Sequence, residues 1–119
     1  MHPALTHLQS LDELDSVLST SNAQPVLLFK HSYSCGVSAE ALDELIAHLN
    51  DRDHAVPVAM ITVQTHREVS NAAALRLGVR HETPQALLVR DGRVVWSASH
   101  FRVTSTSVDQ AIRAHLDAR

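Results

Sequence analysis

The sequence predicts an α/β fold in which a four-stranded mixed sheet carries helices on both faces. Three observations carry this expectation. Val26-Leu27-Leu28-Phe29-Lys30 and Val56-Pro57-Val58-Ala59-Met60-Ile61-Thr62-Val63 are continuous apolar runs, the pattern of strands buried on both faces. Segments of helical periodicity separate and flank them. Asp91-Gly92 lies between two further short apolar runs, a strong signal for a two-residue hairpin turn. Strand-helix-strand order requires a right-handed crossover between parallel strands, and the hairpin adds an antiparallel pair.

The elements follow in order. Leu11, Leu14, Val17 and Leu18 recur at helical spacing, with Ser10 as N-cap and Glu13 three residues on as a capping box. A polar connection from Ser19 to Pro25 leads into the first buried strand, Val26 to Lys30. From Ser38 to Leu49, the residues Leu42, Leu45, Ile46 and Leu49 mark one helical face, so Cys35 sits in the turn that opens this helix. Pro57 falls near the start of the second strand, where a missing N–H does least harm. Arg67 to Leu77 forms the next helix, with Val69, Ala72, Ala73 and Leu77 inward and Gly78 as its stop. The hairpin pairs Ala86 to Arg90 with Arg93 to Ser97, and a last helix from about Ser105 to Leu116 carries Val108, Ile112 and Leu116.

Composition narrows the function. The 119 residues are one domain's worth (1–119), 45% apolar and 19% charged, enough for a real core. A net charge of -3 lacks the basic excess that grips a phosphate backbone, so nucleic acid is not an expected partner. No apolar run approaches membrane-spanning length and the N-terminus lacks a basic n-region, so the chain is expected to be cytoplasmic, with no membrane partner. A single cysteine, Cys35, excludes an intramolecular disulfide and zinc sites built from paired cysteines.

A resemblance then carries weight. The run from Val26 to Ser38 looks like the strand, turn and helix opening of a thioredoxin, with Cys35-Gly36-Val37-Ser38 standing where that family has Cys-x-x-Cys. The order βαβαββα, preceded by an extra N-terminal helix, is that of the thioredoxin-like core. Thr83-Pro84 corresponds to the family's cis-proline segment, which faces the active cysteine. Phe29-Lys30-His31-Ser32, Arg67-Glu68-Val69-Ser70-Asn71, Arg80-His81-Glu82-Thr83-Pro84-Gln85 and Trp96-Ser97-Ala98-Ser99-His100 together resemble the YtxJ-type, monothiol bacilliredoxin family from about Pro25 onward. That family usually has Pro-Ile where this chain has Gly36-Val37. The resemblance implies a monothiol thiol-disulfide oxidoreductase that removes bacillithiol, or a similar low-molecular-weight thiol, from protein mixed disulfides. Its implied partners are thiolated client proteins and a second small thiol or a reductase for regeneration. The small thiol is a co-substrate, and no cofactor is tightly bound.

The residues support that chemistry independently. A cysteine at a helix N-terminus has its charged form favoured by the macrodipole and by free backbone N–H groups. Ser38, three residues on, is placed either to donate to the Cys35 sulfur or to satisfy helix donors, and it cannot form a disulfide. The expected chemistry is attack of the Cys35 thiolate on a client's mixed disulfide. A free cysteine is ordinarily a small buried hydrophobe, but the turn flanked by Tyr33-Ser34 and Gly36 argues against that here.

Of nine histidines, His2, His7, His48, His54, His66 and His115 are expected at the surface. His31 and His81 are expected near Cys35, with His100 after the last strand, either as groups that lower the thiol pKa or shuttle its proton or as structural hydrogen-bonding residues. Lys30 could aid thiolate electrostatics, but as the polar end of a strand it is expected to snorkel to solvent. Cys35, Ser38 and His31 are therefore the expected catalytic residues, and Gly36, Val37, His81, Thr83, Pro84 and His100 the expected substrate-binding ones. Two other classes stay open. One is a metal-binding module using His31, Cys35, His81 and His100, and the other is a non-enzymatic adaptor that grips extended segments beside Pro84.

Overall fold

The computed structural model describes residues 2–51 and 56–116. In chain order the elements are β1 (Leu5–His7), α1 (Leu11–Thr20), β2 (Val26–His31), α2 (Gly36–Asp51), β3 (Val58–Thr62), α3 (Arg67–Leu77), β4 (Gln85–Arg90), β5 (Arg93–Ser99), a 3-10 turn (His100–Arg102) and α4 (Ser105–Leu116). The sheet order is β1-β3-β2-β4-β5. β2 runs parallel to β3 and antiparallel to β4.

The sheet has five strands, not the four expected. The added strand is β1, which pairs in parallel with β3 through Leu5↔Val58. Three residues are too few to display a period of two, and only the burial of Leu5 and Leu8 against the sheet reveals the strand.

The continuous apolar runs have the expected cause. β2 and β4 are buried along their whole lengths because helices cover both faces. Leu27, Phe29, Leu45, Leu88, Val108 and Ile112 fill the layer under α2 and α4. Leu14, Leu28, Val69, Ala73 and Leu87 fill the layer under α1 and α3. Alternation along β2 thus assigns Phe29 to one face and Leu28 and Lys30 to the other.

Local signals resolve as the chain chemistry requires. Ser10 Oγ accepts from Glu13 N–H at 3.1 Å, while Glu13 Oε1 accepts from Ser10 Oγ at 3.3 Å and from Gln9 N–H at 2.9 Å in place of the Ser10 backbone N–H, so the return bond of the capping box falls one residue early. Gly78 ends α3 in the left-handed region (φ 64°). Asp91 and Gly92 both have positive φ, as a type I′ hairpin turn demands.

Three placements differ from expectation. His48 is buried rather than surface-exposed, because it shares the α2 stripe of Ala41, Leu45 and Leu49 at three- and four-residue spacing. His2 is half-buried and structural: its Nδ1 accepts from Ala4 N–H at 3.0 Å and its Nε2 meets Asn50 Oδ1 at 2.8 Å. Lys30 does not snorkel, since its side chain is 0% exposed. His7 is exposed, His66 and His115 are half-exposed, and His54 lies outside the described residues.

Candidate active site

β2 and β3 are parallel, so the segments that follow them emerge at the same end of the sheet. β4 is antiparallel to β2 and therefore begins at that end. The pairing Lys30↔Gln85 places Pro84, one step outward, beside His31. Topology thus gathers the Cys35 turn, the Thr83-Pro84 segment and the end of β5, where His100 N–H donates to the Pro84 carbonyl at 2.9 Å.

Cys35 is half-exposed and free. Its carbonyl accepts from Ala39 N–H at 3.1 Å, the first bond of α2, which makes Cys35 the N-cap residue. Cys35 therefore stands at the helix end whose first-turn N–H groups have no intrahelical partners. Gly36 occupies the first helical position with open space around its missing side chain and no positive φ, so its backbone does not require glycine. Proline, the residue usual in the resembling family, suits that position.

Ser38 is fully buried, and its Oγ accepts from Ser32 N–H at 3.2 Å. That bond folds the turn back onto the helix. Ser38 Oγ makes no hydrogen bond to the Cys35 sulfur in this geometry, so its hydroxyl proton is free to turn toward another acceptor.

Gln64 is a site residue that the sequence reading missed. Its Oε1 accepts from Tyr33 N–H at 3.3 Å, and its Nε2 donates to Ser32 Oγ and to Ser34 Oγ at 2.9 Å. It clamps the turn that presents Cys35. The available signal was topological: residues just past two parallel neighbouring strands meet, and Gln64 follows β3 as Ser32 follows β2.

His31 is 8% exposed and its Nδ1 is buried without a hydrogen-bond partner. Burial holds its pKa below 6.5, opposed by a backbone hydrogen bond at Ser38 and reinforced by the nearby His7. At neutral pH it is an uncharged ring behind the first turn of α2, packed on Phe29 with centroids 6.0 Å apart.

His81 meets Lys30: Lys30 Nζ lies 2.8 Å from His81 Nδ1. Lys30 is the chain's sole lysine, and burial lowers its pKa to about 8. His81 is exposed overall, but the ring edge that meets Lys30 is withdrawn from water. Its pKa falls by that burial first, then through Lys30 and Arg67, with Glu82 opposing.

These shifts predict a pH signature. A lysine with a lowered pKa binds fewer protons folded than unfolded, so stability rises with pH between the folded value near 8 and the unfolded 10.5. Urea unfolding at pH 8 and pH 10 should show this gain in the wild type and not in Lys30→Met. At neutral pH Lys30→Met should itself be more stable, by about 1–2 kcal/mol, because an apolar side chain replaces a buried charge without a carboxylate partner.

His100 has a left-handed backbone (φ 57°) and joins Phe101 in lining a cavity of about 400 Å³ with Val37, Glu40, Asp43 and Glu44. This puts Val37 and His100 on one cavity beside the Cys35 turn. Thr83 is half-buried, and the bond that joins it to Pro84 is cis. Among the described residues, no group of three or more His, Cys, Asp or Glu side chains is placed to hold a metal ion. None of the described helices is long and apolar enough to cross a membrane.

Comparison with known proteins agrees with this geometry. A solved structure described as a proposed oxidoreductase with a thioredoxin fold is 32% identical, with a TM-score of 0.81 over 91% of this chain and 93% of that one. A thioredoxin variant from Halobacterium salinarum gives a TM-score of 0.74 at 22% identity, covering 100% of this chain and 97% of its own. Thioredoxin from Fasciola hepatica gives 0.73 at 16% identity, with coverage of 92% and 98%. These two establish the thioredoxin fold. The profile of the family described as monothiol bacilliredoxin BrxC matches residues 6–108. A thioredoxin-fold chain with its only thiol at the mouth of α2 and serine three residues on is accordingly a member of the monothiol bacilliredoxin family.

Proposed function

We propose that this protein is a cytoplasmic monothiol oxidoreductase that removes bacillithiol, or a similar low-molecular-weight thiol, from client proteins through Cys35. The observation that carries this reading is the position of the sole thiol as N-cap of α2, with the buried Ser38 hydroxyl where a resolving cysteine would stand.

The steps balance without an added oxidant. The Cys35 thiolate attacks the small-thiol sulfur of the client's mixed disulfide, that S–S bond breaks, and a new one joins Cys35 to the small thiol. The client cysteine leaves as a thiolate and takes a proton from water. A second small thiolate, or a reductase thiol, then attacks the small-thiol sulfur of the adduct, which restores the Cys35 thiolate and carries the disulfide away. Ser38 and the neutral His31 shape the turn and the proton environment behind the sulfur. Gly36, Val37, Thr83, Pro84, His81 and His100 frame the face on which the client's extended chain and the small thiol rest, with the Thr83 backbone open to strand-like pairing.

The test is to incubate the reduced protein with one client protein loaded in turn with bacillithiol, glutathione and coenzyme A. Release should be fastest from the bacillithiol form, with the matching mass appearing on Cys35. Release with no adduct on Cys35 would overturn the mechanism.

A further inference from the structure

The sole lysine of the chain is a fully buried cation at the end of β2, five residues before the reactive cysteine. Among the described residues no carboxylate pairs with it, and its hydrogen-bond partner is His81 Nδ1 at 2.8 Å. Burying an unpaired charge is costly, and a purely structural role would be served as well by an apolar side chain. Lys30 lies on the α1/α3 side of β2, with Leu28, and its partner His81 stands three residues before Pro84.

The pair has a defined proton arrangement. An ammonium has only donors, so His81 Nδ1 is the acceptor and the ring proton sits on Nε2. Below pH 8 the ammonium form of Lys30 prevails. An imidazole polarised by a cation at one nitrogen is a stronger donor at the other. Arg67, the first residue of α3, adds positive potential at the same ring. The one opposing carboxylate at this ring, Glu82, accepts from Ser99 Oγ at 2.9 Å. On the α2 side the cavity beside Val37 is instead lined by Glu40, Asp43 and Glu44. The two surroundings thus differ in charge: Lys30 and Arg67 are the cations at His81, and three carboxylates line the cavity beside Val37.

We propose that Lys30 is a specificity-determining positioning residue, which holds His81 as an outward Nε2–H donor that receives a carboxylate of the small thiol bound to Cys35. This deepens the proposed function and rests on thiol exchange at Cys35.

The test uses three symmetrical disulfides that differ in charge: dithiodipropionate (anionic), hydroxyethyl disulfide (neutral) and cystamine (cationic). Each reacts by the same balanced step, in which the Cys35 thiolate joins one half and the other half leaves as a thiolate. Adduct formation is followed by intact mass, and each rate is normalised to hydroxyethyl disulfide. The wild type should favour dithiodipropionate over cystamine about tenfold beyond the ratio given by a free cysteine peptide, the scale of one charge-assisted hydrogen bond. That excess should disappear in Lys30→Met and in His81→Ala, the second being an exposed position at which folding is not at issue. The same excess in both variants as in the wild type would overturn the proposal while leaving Cys35 exchange intact. No adduct with any of the three would overturn the exchange reading and this proposal together.

Discussion

Cys35→Ser should reduce release of the small thiol from a client to the uncatalysed rate while leaving the fold intact. The chain has no second thiol, so no other side chain can form the mixed disulfide that carries the reaction. The substitution is gentle structurally. Cys35 is half-exposed and caps α2, and serine is among the preferred N-cap residues, so stability should move by no more than about 0.5 kcal/mol. Release rate and melting temperature measured on the same preparation separate lost chemistry from lost folding. Full activity in Cys35→Ser would mean that the client thiol is freed by some route other than covalent exchange on this protein.

Ser38→Cys should convert a one-thiol cycle into a two-thiol one. Wild-type protein mixed with a thiolated client accumulates the adduct on Cys35 until an outside thiol arrives. With a thiol at position 38, three residues away across the first turn of α2, that sulfur attacks Cys35, expels the small thiol and closes an internal disulfide. A tethered thiol of this kind has an effective concentration in the millimolar range, so at micromolar outside thiol it should shorten the life of the adduct about 100-fold or more. Mass spectrometry would then find a loss of two hydrogens in place of the small-thiol adduct. The change also weakens the oxygen acceptor that Ser32 N–H uses, at a cost of about 1 kcal/mol. Persistence of the adduct as in the wild type would mean that position 38 is out of reach of the sulfur.

Much of this was legible along the chain because it is written in local chemistry. Continuous apolar runs gave β2 and β3, the Asp91-Gly92 pair gave the β4–β5 turn, Gly78 gave the end of α3, and the helical stripe after Cys35 placed the thiol at the mouth of α2. Each of these depends on a few neighbouring side chains and on backbone sterics, which a linear sequence displays directly.

What escaped the sequence depends on neighbours far away in the chain. β1 exists because β3 offers a free edge for Leu5 to His7 to pair with. His48 lies inside because the stripe it belongs to is covered, and Gln64 matters because the parallel pairing of β2 and β3 brings their exits together. Lys30 gives the sharpest contrast. Its position after an apolar run gave the same signal as a snorkelling strand end, but the side chain is fully buried and, among the described residues, its hydrogen-bond partner is His81, 51 residues away. By itself the sequence determined the fold class and the single-thiol chemistry, because backbone preference and one cysteine suffice for both. Tertiary structure alone decided which polar groups are buried and paired around that thiol, because burial and pairing are properties of packed neighbours, not of residue order.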